Sequence, residues 1–74
     1  MTRMVVWGVF DHPAEYLESW VAREFEVLPA EFRPTGRVIE APTLEDLHRI
    51  LRELGLDRSY RFTEEIATLR EAWQ

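Results

Sequence analysis

The sequence predicts an α+β domain of order βαββαβ, in which a four-stranded antiparallel sheet carries two helices on one face. Three observations carry that expectation. Met4–Phe10 is an unbroken apolar run, Thr43–Gly55 holds the start, face and stop of a helix, and breaks fall at Asp11-His12-Pro13, Pro34-Thr35-Gly36 and Pro42. The 74 residues form one domain, 1–74. That is near the size at which a single core only just offsets the entropy of ordering the chain.

Met4-Val5-Val6-Trp7-Gly8-Val9-Phe10 is apolar at every position and rich in β-branched and aromatic types, which suits a central strand covered on both sides. Pro13 fits the first turn of a helix, with Asp11 or His12 as its cap and Glu15 in the favourable first turn. Leu17, Trp20, Val21 and Phe25 follow at helical spacing and predict an amphipathic helix from about Pro13 to Glu24. From Phe25 to Arg33, Val27 and Phe32 with the interrupting Pro29 fit an edge strand, a bulge or an irregular segment equally well. Pro34-Thr35-Gly36 reads as the turn of a hairpin whose second strand is Arg37–Ala41.

The second helix, Thr43 to Leu54, is the clearest element. Thr43 can accept the backbone N–H of Asp46 while Asp46 reaches back to Thr43. Leu44, Leu47, Ile50, Leu51 and Leu54 form one face, and Gly55 supplies a left-handed cap. In the tail, Tyr60, Phe62 and Ile66 fit strand alternation in part. Phe62, Ile66, Leu69 and Trp73, with Thr63 as a cap, also fit a helix face. A strand from about Ser59 to Ile66 and a short helical tail from Thr68 are the assignment that best buries a sheet edge.

A formal charge of −5 argues against nucleic acid as a partner, because phosphate binding needs a basic face. The absence of cysteine removes disulfides, thiolate chemistry and zinc-finger sites. The longest apolar run is seven residues, and Arg3 alone makes a poor signal n-region, so the expectation is a cytoplasmic protein that neither spans nor enters a membrane. Three Trp, four Phe and two Tyr are then the main source of burial, and part of that area is expected between two copies of the chain.

The predicted order is the ferredoxin-like split βαβ arrangement. At Val38-Ile39-Glu40-Ala41-Pro42-Thr43, then Leu47, Gly55-Leu56 and Tyr60-Arg61-Phe62, the chain resembles small members of the dimeric α/β-barrel superfamily, the muconolactone-isomerase-like proteins among them. The resemblance covers about the C-terminal half. It implies a homodimer paired sheet to sheet, with a pocket between sheet and helices or at the seam. It also spans cofactor-free monooxygenases, isomerases, haem proteins, a nickel-binding branch and proteins of no known chemistry, so fold alone assigns no activity. Metal-binding relatives carry a histidine in the second helix at the position of Ile50. Here His48 lies two residues earlier on a different face, and neither a metal nor another cofactor is expected.

Asp11-His12 is the best catalytic candidate, since a histidine titrates near neutrality and a carboxylate can fix its tautomer. The plainer reading is that one caps the following helix and the other is solvated. Trp7, Trp20, Tyr60 and Phe62 can line a pocket for a flat apolar ligand or simply pack a core. Arg33, Arg37, Arg58 and Arg61 can take a ligand carboxylate, or pair with surface acids such as Glu31 and Glu40. Glu24-Glu26 and Glu64-Glu65 read as solvated faces. No nucleophile elbow and no phosphate-cradling glycine loop is present.

The expectation that follows is a small homodimeric protein that binds a small apolar or aromatic molecule at Trp7, Trp20, Arg37, Tyr60 and Arg61, or serves as an accessory subunit. Two others come from different classes. One is a cofactor-independent isomerase, cyclase or monooxygenase with His12 as acid/base. The other is an acidic interaction module or inhibitor docking on a basic partner.

Overall fold

The computed structural model describes residues 4–66 and 68–74, and for residues 63–66 the backbone alone. The elements are β1 (Val5–Asp11), β2 (Trp20–Leu28), β3 (Glu31–Ala41), α1 (Leu44–Glu53), β4 (Arg58–Ile66) and β5 (Leu69–Trp73). They build one five-stranded sheet of order β3-β2-β1-β5-β4, antiparallel at every pairing. This replaces the predicted four-stranded βαββαβ sheet with two helices. The α/β barrel built by pairing two such sheets falls with it.

β1 lies at the centre, as its two apolar faces require, hydrogen-bonded to β2 on one side and β5 on the other. The predicted helix over Pro13–Glu24 is the first correction. His12–Ser19 is a loop of two successive turns, closed by Tyr16 N–H to Pro13 O at 2.8 Å and Ser19 N–H to Tyr16 O at 3.1 Å. From Trp20 the chain is strand. The residues that scan as a helical stripe also alternate, Trp20, Ala22 and Glu24 against Val21, Arg23 and Phe25. Pairing with β1 decides between the two periods by bonding the whole backbone of the segment. Leu17, which the helical stripe needs inside, is 72% exposed.

The hairpin turn is the second correction. β2 and β3 are joined at Pro29-Ala30, and Pro34-Thr35-Gly36 lies inside β3 as a bulge. Arg23 faces Val38 while Phe25 faces Pro34, so Glu24 is opposed by the whole of Thr35–Arg37. Gly36 takes φ +93°, which a residue with a Cβ rarely adopts. The third correction is the tail. Residues from Leu69 form β5, whose return beside β1 fills the place expected of the strand at Ser59–Ile66. That strand exists, but as the outer β4. The side chains of Thr63, Glu64, Glu65 and Ile66, and all of Arg3, lie outside the described residues.

The helix stands as predicted. Thr43 Oγ1 accepts the Asp46 N–H at 3.1 Å, and Gly55 follows the last turn at φ +82°. Asp46 spends its carboxylate on Arg49, at 3.2 Å, rather than on the return bond to Thr43 that the sequence suggested. The core lies between α1 and one face of the sheet, where Leu47 and Leu51 pack on Trp7, Val9, Ala22, Ala41 and Trp73. Among the described residues no helix is long and apolar enough to cross a membrane.

Chemical denaturation separates the helix's end from its face. Thr43→Ala should cost about 1 kcal/mol through the lost cap. Leu47→Ala or Leu51→Ala should cost about 2–5 kcal/mol through the cavity left behind. A cap variant more damaging than both would contradict the packing described.

Candidate functional site

The face of the sheet away from α1 carries the side chains that α1 does not cover. Strand alternation places Val6, Gly8 and Phe10 of β1 there, beside Phe25 of β2 and Ala72 of β5. With Phe32, Phe62 and Leu69 they enclose a groove of about 250 Å³ whose surface is entirely apolar. Its lining draws on all five strands. Gly8 keeps its floor low, because a Cβ at that position would stand 3.1 Å from Phe10 Cε2 and 3.3 Å from Leu69 Cδ1. Phe10 and Phe25 meet at 6.5 Å between ring centres, and Tyr60 packs on Phe62 at 4.8 Å, edge to face.

The helix-side face is also polar at two buried points. Glu71 is 3% exposed and accepts from the Trp73 indole N–H at 3.0 Å. It also lies 2.6 Å from His48 Nε2 and accepts from Arg58 at 3.4 Å. Burial alone pushes its carboxyl up, but the bonds from Trp73, His48 and Arg58 outweigh burial and hold it below the usual carboxylate value. Glu24, equally buried, accepts from Thr35 Oγ1 at 2.8 Å and from Arg37 at 3.1 Å. The bulge in β3 is what brings those two partners over it. Arg37 also lies on the Trp7 ring at 5.4 Å and Arg52 on Trp73 at 5.6 Å. Every buried charge here is matched, the condition for its burial.

The two residues of the catalytic candidate do meet. His12 Nδ1 lies 2.5 Å from Asp11 Oδ1, which the left-handed backbone of His12 at φ +47° makes possible for adjacent residues. With no helix after them, the capping role lapses. Arg70 Nε stands 3.9 Å from Asp11, and the His12 ring meets Trp20 edge-on at 5.7 Å. The pair lies at the end of β1, with Asp11 its last residue and His12 the next, and does not border the groove.

The other expected ligand residues are scattered. Of Trp7, Trp20, Arg37, Tyr60 and Arg61, only Trp7 borders the groove, and its side chain belongs to the core on the helix side. Trp20 packs partly buried on that core, Tyr60 is 58% exposed, and Arg61 is exposed opposite Glu71 in register. Arg33, Arg37, Arg58 and Arg61 do not converge. Arg33 pairs with Glu31 at 3.1 Å, whereas Arg37 and Arg58 take Glu24 and Glu71. Among the described residues no three His, Asp or Glu side chains are placed to hold a metal ion.

The sequence reading missed Gly8, Phe10, Phe25, Leu69 and Ala72 as groove residues. The signal lay in Val6-x-Gly8-x-Phe10, three apolar positions on one side of a strand whose other side already supplies the core.

No protein-family model, curated protein or solved structure matches this chain. The site is therefore read from its own geometry.

Because Glu71 is held below the carboxylate value of 4.5 by contacts that exist only in the folded chain, its contribution to stability is complete above that pH. It is lost as pH falls below it, toward the folded-state value. Glu71→Gln should lower stability near neutrality by about 1–3 kcal/mol. Urea midpoints of variant and parent should draw together as pH falls below 4.5, and a gap that stays constant to the onset of acid unfolding would place the acid sensitivity elsewhere.

Proposed function

We propose that this protein binds a small, largely apolar molecule of one or two rings in the groove on the sheet face opposite α1. The observation that carries the reading is the groove itself, about 250 Å³ walled by apolar side chains and left open by the only helix among the described residues. Its size suits a one- or two-ring compound. A ligand that buries roughly 200 Å² gains about 5 kcal/mol, which before immobilisation costs corresponds to a dissociation constant on the order of 0.1–1 mM. Glu71 is the one acid that borders the groove, and its carboxylate is taken up by Trp73, His48 and Arg58 while the groove surface is apolar, which supports binding over catalysis.

A second copy against the same face is the other reading. Phe32 is 65% exposed and Tyr60 58% exposed at opposite edges of this face, more apolar rim than a two-ring ligand would cover. Light scattering from micromolar to millimolar concentration tests it, and a monomer mass throughout would exclude it.

NMR titration with 2-naphthamide tests ligand binding. Shifts should concentrate on Gly8, Phe10, Phe25 and Ala72 amides. Gly8→Val, whose side chain would press on Phe10 and Leu69, should weaken binding at least about tenfold and cost about 1–3 kcal/mol by overpacking. His12→Gln should leave binding unchanged, and a loss there would favour the enzymatic reading of His12. Unaltered affinity in a folded Gly8→Val protein would remove the groove from consideration.

A further inference from the structure

Arg23 stands on the same face as the groove, directly opposite Gly8 in register and two residues before Phe25. Its guanidinium lies 5.9 Å from the centre of the Phe10 ring and 5.7 Å from that of Tyr16, so two aromatic faces hold it. One of its Nη atoms donates to Glu15 in the loop after β1. Its Nε is buried and has no hydrogen-bond partner, the one such side-chain atom among the described residues. A buried donor left unpaired beside a satisfied one is uncommon in a folded protein.

The chemistry of that unpaired donor is specific. Nε and the neighbouring Nη of an arginine form an edge that takes both oxygens of a carboxylate in two parallel bonds. Glu15, itself 69% exposed at its side chain, engages only the Nη half. Phe10 is shared between the two features, being a wall of the groove and the ring against which the guanidinium rests. Arg23 does not itself line the groove, so a ligand that uses it must rest its ring against Phe10 with its substituent reaching past that ring to the guanidinium.

We propose that the ligand is an aromatic or short aliphatic carboxylic acid, its apolar body in the groove and its carboxylate paired with Arg23. The inference rests on the groove as the binding site and adds the anionic end. Glu15 is then an internal stand-in for the ligand's carboxylate, holding part of the guanidinium until the ligand displaces it. An anionic ligand is drawn to Arg23 against a chain whose net charge is −5, so the attraction has to be local and short in range.

The test compares 2-naphthoate with 2-naphthamide, which share a ring system and differ in charge. Dissociation constants come from NMR titration of the full chain. Wild type should bind naphthoate about tenfold more tightly than naphthamide, as one charge-assisted pair would give. In Arg23→Gln that ratio should fall to about one. In Glu15→Gln, an exposed and structurally mild change, the ratio should rise, since a competing anion has been removed. Should Arg23→Gln fail to fold, Glu15→Gln alone decides the matter. Equal affinities in wild type, or a ratio unmoved in either folded variant, would overturn the role of Arg23 while leaving the groove intact. Binding of neither compound would remove the groove and this inference together.

Discussion

Among the described residues a single helix of ten residues has to serve a sheet whose central strand is apolar on both sides. Most of the architecture follows from that mismatch. α1 can cover one face, and it covers the one where Trp7 and Val9 of β1 point, sealing them with Leu47 and Leu51. The opposite residues of the same strand, Val6, Gly8 and Phe10, cannot be withdrawn from the surface by any element that α1 supplies. They are sheltered only by their neighbours in the sheet and by the loop between β1 and β2, which lays Tyr16 over Arg23. The groove is thus what remains when a two-faced strand receives one-sided cover.

The covered face also solves an electrostatic problem. Glu24 and Glu71 flank the buried tryptophans, and a carboxylate there is tolerable only if hydrogen-bonding and cationic partners reach it. Two different devices deliver them. For Glu24 a bulge in β3 throws Thr35 and Arg37 across the strand, and for Glu71 the helix contributes His48 while β4 contributes Arg58. Each carboxylate therefore ties elements that are distant in sequence to one register. A slip of β3 by one residue would leave Glu24 buried without its partners.

How much of this was legible in the sequence depends on how local the deciding physics was. α1 was readable because its cap, face and stop lie within thirteen residues and satisfy one another. β1 was readable because only a central strand tolerates apolar side chains at every position. β2 was not, since Trp20–Phe25 fits both periods and its ladder with β1 decides the matter across the chain. The same holds for Leu69–Trp73, where a helical spacing back to Phe62 concealed a strand that pairs with residues sixty positions away. Of the groove's lining, the sequence offered Trp7 and Phe62, while Asp11 and His12 meet each other away from it. The lining itself depends on which strands neighbour β1, and the buried carboxylates on a bulge that reads as a turn.

The bulge has a second effect, on the outer border of the sheet. β3 is an edge strand of eleven residues, long enough to recruit another chain into the sheet. Pro34 offers no N–H there, Gly36 bends the backbone out of the pleat, and Glu31, Arg33, Arg37 and Glu40 stud the same strand with charge. Such a border is a poor template for strand addition, so the sheet resists growth on the β3 side. A protein with an exposed apolar face and this blunted edge can stack or take up a guest without adding strands along β3. A blunted border and an open apolar face thus stand side by side in one small chain.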